Sequence, residues 1–358
     1  MRILITGGAG FVGSRLALAF REAGPQDEIV ALDNLRRRGS ELNIPLFKKN
    51  QIEFVHGDIR SADDLNDLKG NFDVFVEASA EPSVLAGLSG SPAYVLQTNL
   101  TGTLNCLELA RKRAGMMVFL STSRVYSIQP LRELALREGS TRLELKADQK
   151  FSGASEKGVA ENFPTHLPRS IYGATKLASE LVIQEYADTY GMKAVINRCG
   201  VIAGPGQFGK VDQGVFTLWV ANHYFGKPLK YTGFGGQGKQ VRDLLHPLDL
   251  FDLIQTQIRQ IQSLGAAEVY NVGGGTEVST SLCELTAICQ QVTGRKIEIA
   301  SDTQTTSVDI PLYISDNTKV SQALGWKPKK SIKDIVENIH QWIRQNEVDL
   351  RPIFGGES

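Results

Sequence analysis

The chain is poor in sulfur, carries no excess of charge and has no long apolar run. Its four cysteines, Cys106, Cys199, Cys283 and Cys289, form no Cys-x-x-Cys pair, which excludes a zinc site of that kind and a disulfide ladder. A reducing compartment is expected. The five histidines are scattered without metal-ligand spacing, so no metal is expected. Lys and Arg number 39 and Asp and Glu number 39. That balance excludes the strong basic field of a general nucleic-acid binder, and any anionic ligand must be held by local groups. No apolar stretch approaches the roughly 18 residues of a membrane helix. The apolar start at 2–6 turns into glycine too soon for a leader. A soluble, cytoplasmic protein is expected, without nucleic-acid or membrane partners.

What is present points to an α/β protein. At 358 residues with 42% apolar composition, the chain can bury a core without staples, as one large unit or two unequal lobes. Apolar runs predict strands over 2–6, 28–33, 51–56, 73–78, 117–122 and 193–198. Helical spacing marks 13–23, 92–114 and 172–190 between them. This alternation predicts a doubly wound parallel Rossmann sheet. Between Tyr126 and Tyr172 the pattern breaks, with one amphipathic piece over 131–138. Beyond Arg198 glycines become frequent, and helices are expected over 281–293 and 332–346. The expected organisation is a cofactor domain over 1–198, with a return segment near 242–268. A smaller, discontinuous α/β lobe for substrate is expected over 199–350.

The strongest local signal is Thr6-Gly7-Gly8-Ala9-Gly10-Phe11-Val12-Gly13, directly after the first strand and opening the first helix. Gly7 suits the tight turn, Gly10 the approach of a pyrophosphate, and Gly13 the close packing of helix on strand. The helix amino terminus offers free N–H groups to phosphate. Asp33 ends the second strand, where a carboxylate accepts from ribose hydroxyls and repels a 2′-phosphate, favouring NAD over NADP. Arg36, Arg37 and Arg38 argue the other way if they reach the site; they read as a solvated basic turn. Asp58 and Ile59, after the third strand, are placed to frame the adenine, with a plain turn aspartate as the alternative.

Tyr172-Gly173-Ala174-Thr175-Lys176 opens a helix, and residues four apart share a face. Tyr172 and Lys176 are therefore expected to face the cofactor together. A nearby ammonium favours the phenolate over a free phenol of pKa ~10, as removal of a sugar hydroxyl proton requires. The partner hydroxyl is expected at the end of the strand Leu120-Ser121-Thr122-Ser123. Thr122 is chosen there, and Ser121 and Ser123 remain rivals.

Together these motifs resemble the extended short-chain dehydrogenase/reductase family that acts on nucleotide-activated sugars, over about 1–342. The likeness includes Phe54-Val55-His56-Gly57-Asp58-Ile59-Arg60, Asn99-Leu100-Thr101-Gly102-Thr103, Gln240-Val241-Arg242-Asp243 and Leu324-Gly325-Trp326-Lys327-Pro328. Within it, Asp33-Asn34-Leu35, Gln207-Phe208 and Asp212-Gln213-Gly214 are most similar to the CDP-paratose (CDP-tyvelose) 2-epimerases. The resemblance implies NAD as cofactor, a nucleotide-diphosphate sugar as substrate and a homodimer. It implies that Asn34 and Ala78 join the cofactor site, with Ala78 in the loop Glu77-Ala78-Ser79-Ala80-Glu81-Pro82. Asn99 would lie beneath the nicotinamide ribose, and Lys176 would hold that ribose. Ser123, Gln207, Gln213 and Arg242 would meet the substrate, Arg242 at its diphosphate, a role suited to a guanidinium fork. His246 reads as structural.

The implied activity is epimerisation through a transient keto sugar, at C2 by preference. C4 epimerase, decarboxylase, dehydratase, net dehydrogenase and a non-catalytic dinucleotide-binding protein are the alternatives. One departure bears on the choice. The family's 4,6-dehydratases carry Asp-Glu directly after the catalytic threonine, where this chain has Ser123 and Arg124.

Overall fold

The structure is a computed structural model that describes residues 1–88, 90–209 and 214–355. Gln213 lies outside the described residues. Seven parallel strands form the central sheet: β1 (Arg2–Thr6), β2 (Glu28–Asp33), β3 (Glu53–His56), β4 (Phe72–Glu77), β5 (Ala114–Thr122), β6 (Ala194–Cys199) and β7 (Ala267–Val272). Their spatial order is β7-β6-β5-β4-β1-β2-β3. The chain steps outward from β1 to β3 and then crosses back to place β4 beside β1. That reversal makes the carboxyl ends of β1 and β4 the place where an open sheet binds ligand.

The strands read as continuous apolar runs because helices cover both faces. Side chains alternate between those faces. Ile3 and Ile5 pack with Leu16 and Phe20 of α1 (Phe11–Ala23) and with Leu250 and Ile254 of the helix Pro247–Gln260. Leu4 and Phe75 face the other way, onto Leu107 of α2 (Gly102–Arg113) and Ile183 of α3 (Ile171–Tyr190). β7 follows the helix Pro247–Gln260 and completes the sheet beside β6. A second core joins the helices Val215–Phe225, Leu282–Thr293 and Ile332–Gln345 through Trp219, Leu285 and Ile339.

Two segments differ from their expected form. The helical run over 92–114 is broken by a π-helical turn, Gln97–Thr101, that carries Asn99; such turns cluster at functional positions. The amphipathic piece over 131–138 is a short helix, Ile128–Arg132, followed by a strand, Leu136–Glu138, paired with Leu143–Leu145. Tertiary packing decides this, since Leu131, Leu134 and Val159 share a core with Ile310 and Tyr313. No described helix is long and apolar enough to cross a membrane.

Candidate active site

The glycine turn is built by steric exclusion. Gly7 has φ +63°, and a Cβ there would stand 2.8 Å from the carbonyl oxygen of Ala78. A Cβ on Gly13 would collide with the carbonyl oxygen of Gly7. Gly10 caps α1 with no side-chain bond to its first turn, which leaves those N–H groups for a ligand. Asp33 closes the turn from β2: Oδ2 accepts from Ala9 N at 3.2 Å and Oδ1 from Leu35 N at 2.8 Å. Burial pushes its carboxyl up, against those backbone donors.

A cleft of about 690 Å³ runs from this turn to the ends of β5 and β6. Gly7, Gly10, Phe11, Val12, Gly13, Asp33, Asn34, Asp58, Ile59 and Ala78 line one stretch of it, and Thr122, Ser123, Tyr172 and Gln207 line the other. Asn34 Nδ2 donates to Asp58 Oδ2 at 2.9 Å. Arg60 holds the same carboxylate at 2.6 Å and, with Asn34, keeps it low, at about 2. Arg36, Arg37 and Arg38 also lie along the cleft; Arg36 and Arg38 are exposed, as a solvated turn predicts, and Arg37 is half-buried. The Arg36 guanidinium lies 4.0 Å over the Tyr94 ring, and Arg37 Nη2 donates to Phe208 O at 3.0 Å. An aromatic face and a distant carbonyl are tertiary partners that the local charge run does not reveal.

At the other end, Ser170 caps α3 by accepting from Gly173 N at 3.1 Å, which fixes Tyr172 in the first turn. Tyr172 is 9% exposed and Thr122 is 8% exposed. The Thr122 hydroxyl is among the groups that act on the Tyr172 phenol. Burial pushes that phenol up to about 12, while the Thr122 hydroxyl and the Arg124 charge pull it down. Ser121 is spent elsewhere: its hydroxyl donates to the buried Glu180 carboxylate. Lys176 is 2% exposed and stands behind the cleft wall. Its Nζ is 3.8 Å from Glu77 Oε2 and 3.8 Å from the centre of the Phe119 ring. Burial lowers the ammonium, with Glu77 opposing the shift.

The remaining site residues make bonds within the chain. Asn99 is 1% exposed; its Oδ1 accepts from Glu81 N at 2.7 Å and its Nδ2 donates to Glu81 O and Thr175 Oγ1. Gln207 donates to Ile202 O and accepts from Thr217. Arg242 donates to Val241 O and Ile310 O, each at 2.8 Å. Burial, followed by the charge of Arg124, brings the Arg242 guanidinium down to about 9.

The sequence model of the NAD dependent epimerase/dehydratase family matches residues 3–273. The chain belongs to the NAD-dependent epimerase/dehydratase family. It is 29% identical to CDP-paratose 2-epimerase of Salmonella typhi, covering 96% of this chain and 99% of that protein. It is 30% identical to dTDP-glucose 4,6-dehydratase of Streptomyces niveus, covering 99% and 96%. Among solved structures it is similar to a double mutant of the Streptomyces venezuelae dTDP-glucose 4,6-dehydratase, determined with NAD bound. That match has a TM-score of 0.77 and 28% identity, covering 99% of this chain and 100% of the other. NAD is the family's cofactor, and the residues here fit it. A glycine turn that admits no Cβ, an uncapped helix amino terminus and the Asp33 carboxylate suit pyrophosphate and a ribose diol.

Sequence reasoning missed Tyr94 at one end of the cleft and, at the other, the neighbours that Glu77 and Arg124 take. Glu77 and Arg124 adjoin motifs already singled out, but only the strand pairing of Thr6 with Glu77 and the contact of Arg124 with Gly173 bring them to the site.

Proposed function

We propose that the chain is an NAD-dependent epimerase of nucleotide-activated sugars, with inversion of a CDP-sugar at C2 as the reaction. The observation that carries this is the pair after Thr122. Ser123 and Arg124 line the cleft where the dehydratases this chain resembles carry two acids, and water elimination without an acid/base pair is hard to drive. The CDP-paratose 2-epimerase matched over 96% of the chain supports the same choice.

In this reading Tyr172, as phenolate, takes the proton of a sugar hydroxyl, and Thr122 shares that hydrogen bond. Bound NAD supplies the hydride acceptor and the returned hydride, so no external oxidant is consumed. Tyr172 then gives its proton back to the inverted centre's oxygen. The glycine turn, Asp33, Asn34, Asp58, Ile59 and Ala78 hold the cofactor, with Asn99 and Lys176 at its nicotinamide ribose. Ser123, Gln207, Gln213 and Arg242 meet the substrate, Arg242 at the diphosphate.

Residues 1–198, with the return near 242–268, form the cofactor lobe in this reading, and the rest of 199–350 forms the substrate lobe. A homodimer is part of it: Leu96, Leu181 and Tyr190 are 41%, 56% and 55% exposed on the helical face outside the sheet. The free cysteines support a cytoplasmic location.

The test is turnover of CDP-, UDP-, GDP- and dTDP-sugars in deuterated water, read by NMR and mass. The expected product is inverted and carries no deuterium at the inverted carbon. Deuterium there overturns hydride return. A product lighter by one water establishes the second reading, a dehydratase, which the 30% identity to a dTDP-glucose 4,6-dehydratase favours.

A further inference from the structure

Two walls of the cleft touch each other. One is the loop after β2, where Arg37, Arg38 and Ser40 line the cleft; the other is the segment 203–209, which brings Gln207 and Phe208 to it. Arg37 Nη2 donates to Phe208 O at 3.0 Å. Gly39 has φ +95°, and a Cβ there would stand 2.6 Å from the Phe208 ring. The backbone of the loop therefore lies directly against that ring, which a residue with a side chain would prevent. Two residues earlier, Gly206 meets Arg15 of α1, where a Cβ would stand 3.1 Å from Nε. Arg15 Nη2 in turn donates to Asn43 Oδ1 at 3.2 Å, and Asn43 Nδ2 donates to Ala9 O in the glycine turn at 2.9 Å. The segment thus rests at two points on the residues that shape the glycine turn and its flank.

The ring of Phe208 is held from the far end of the chain. Phe354 lies nearly parallel to it, with ring centres 6.3 Å apart and planes at 11°. Trp342, on the helix Ile332–Gln345, stands edge-on to both, 5.8 Å from Phe208 and 6.5 Å from Phe354. Such aromatic groups bury large area and add an orientation preference. Phe354 belongs to the turn Arg351–Gly355 and is buried, as is Leu350 before it. Both are part of the core that contains Trp219, Leu285 and Ile339. The C-terminal turn is therefore anchored in that core and presents one ring to the cleft wall.

We propose that Phe354 is a positioning residue for the cofactor: acting through Phe208, it pins the segment 203–209 against the loop after β2 and so slows the release of NAD. This rests on the reading that the cleft holds NAD. The epimerase reading needs such retention, because a hydride returned to the same sugar requires that the reduced cofactor stay while the keto sugar turns over. Release then requires the two walls to part, a local opening whose cost includes the lost contact between the rings.

The test needs no sugar. The full chain is loaded with NADH, mixed with excess NAD in a stopped-flow instrument, and the loss of bound NADH fluorescence gives the release rate. Phe354→Ala is expected to release NADH at least about tenfold faster than the parent. Phe354→Tyr keeps the ring and is expected to stay within a few fold of the parent. Leu350→Ala removes apolar bulk from the same segment and no ring; it is expected to lower the melting temperature and leave the release rate as it was. The proposal is overturned by release from Phe354→Ala at the parent rate, by a tyrosine variant as fast as the alanine one, or by equal acceleration in Leu350→Ala. A parent that loses NADH within the mixing time overturns it too. Should Phe354→Ala fail to fold, as judged by circular dichroism, Phe354→Leu keeps apolar bulk without the ring, and release no faster than the parent's refutes the proposal. Failure of sugar turnover bears on the epimerase reading and leaves this measurement intact.

Discussion

Arg198 and Glu180 face each other in the interior, Nη2 to Oε2 at 2.7 Å, with side chains 9% and 1% exposed. The pair is bound into a network. Glu180 also accepts from Ser121 on β5, and Arg198 Nη1 donates to Tyr126 Oη at 3.2 Å and to Glu161 O at 3.1 Å. Tyr126 in turn donates to Asn271 Oδ1 on β7 at 2.6 Å. Thus α3, which carries Tyr172 and Lys176, is tied by charge to the three strands β5, β6 and β7. Breaking one partner leaves the other charge buried and unpaired. Glu180→Leu is expected to cost about 3–5 kcal/mol of stability. Replacing both as Glu180→Leu with Arg198→Met is expected to cost less. Denaturant unfolding of the two variants decides, and a double variant no better than the single refutes the argument.

Tyr172→Phe removes the phenol oxygen and little else. The ring stays packed, and the glycine turn and Asp33 are untouched. Turnover is expected to fall by at least about 10²-fold, the scale of a lost general base. NAD affinity, measured by isothermal titration, is expected to stay within a few fold. Undiminished turnover would remove Tyr172 from the chemistry.

The elements that could be read in advance were those whose signal is local. The strands Arg2–Thr6 and Glu28–Asp33 are apolar runs bounded by turn residues, and α3 follows a period that needs no distant partner. The glycine turn was legible for the same reason, since turn, strand and helix are consecutive. What escaped depends on pairs far apart in sequence. Lys176 and Glu77 meet because β4 lies between β1 and β5. Arg36 meets Tyr94 across the mouth of the cleft. No spacing rule announces such contacts, and a charge run such as 36–38 looks the same whether it meets water or a ring.

Those arginines matter to cofactor choice. In the proposed site the Asp33 carboxylate would repel a 2′-phosphate, yet Arg36, Arg37 and Arg38 line the same cleft. Asp33→Ser removes the repulsion and leaves the cations. The ratio of NADP to NAD affinity is expected to rise at least about tenfold, or about 1.4 kcal/mol, with weaker NAD binding as the other half of the change. Titration of both dinucleotides into parent and variant checks it. An unchanged ratio would show that Asp33 does not read the ribose.

His246 gives the fold an acid-sensitive joint. It caps the helix Pro247–Gln260 by accepting from Leu248 N at its Nδ1, 3.2 Å away. That bond requires an unprotonated Nδ1, which places the proton of the neutral ring on Nε2, buried and without a hydrogen-bond partner. Burial, and then the charge of Lys330, brings the imidazole down to about 4. An unfolded histidine titrates near ~6.5. Between those values the unfolded chain holds a proton that the folded one refuses, so stability rises with pH across that window and is lost as pH falls from about 6.5 towards 4. The full loss is on the order of 3 kcal/mol. His246→Asn keeps a good cap and has no proton to gain. Its melting temperature is expected to decline less than the parent's between pH 7 and pH 5, before most carboxylates titrate. Parallel declines would mean that the acid sensitivity arises from other groups whose proton affinity changes on folding.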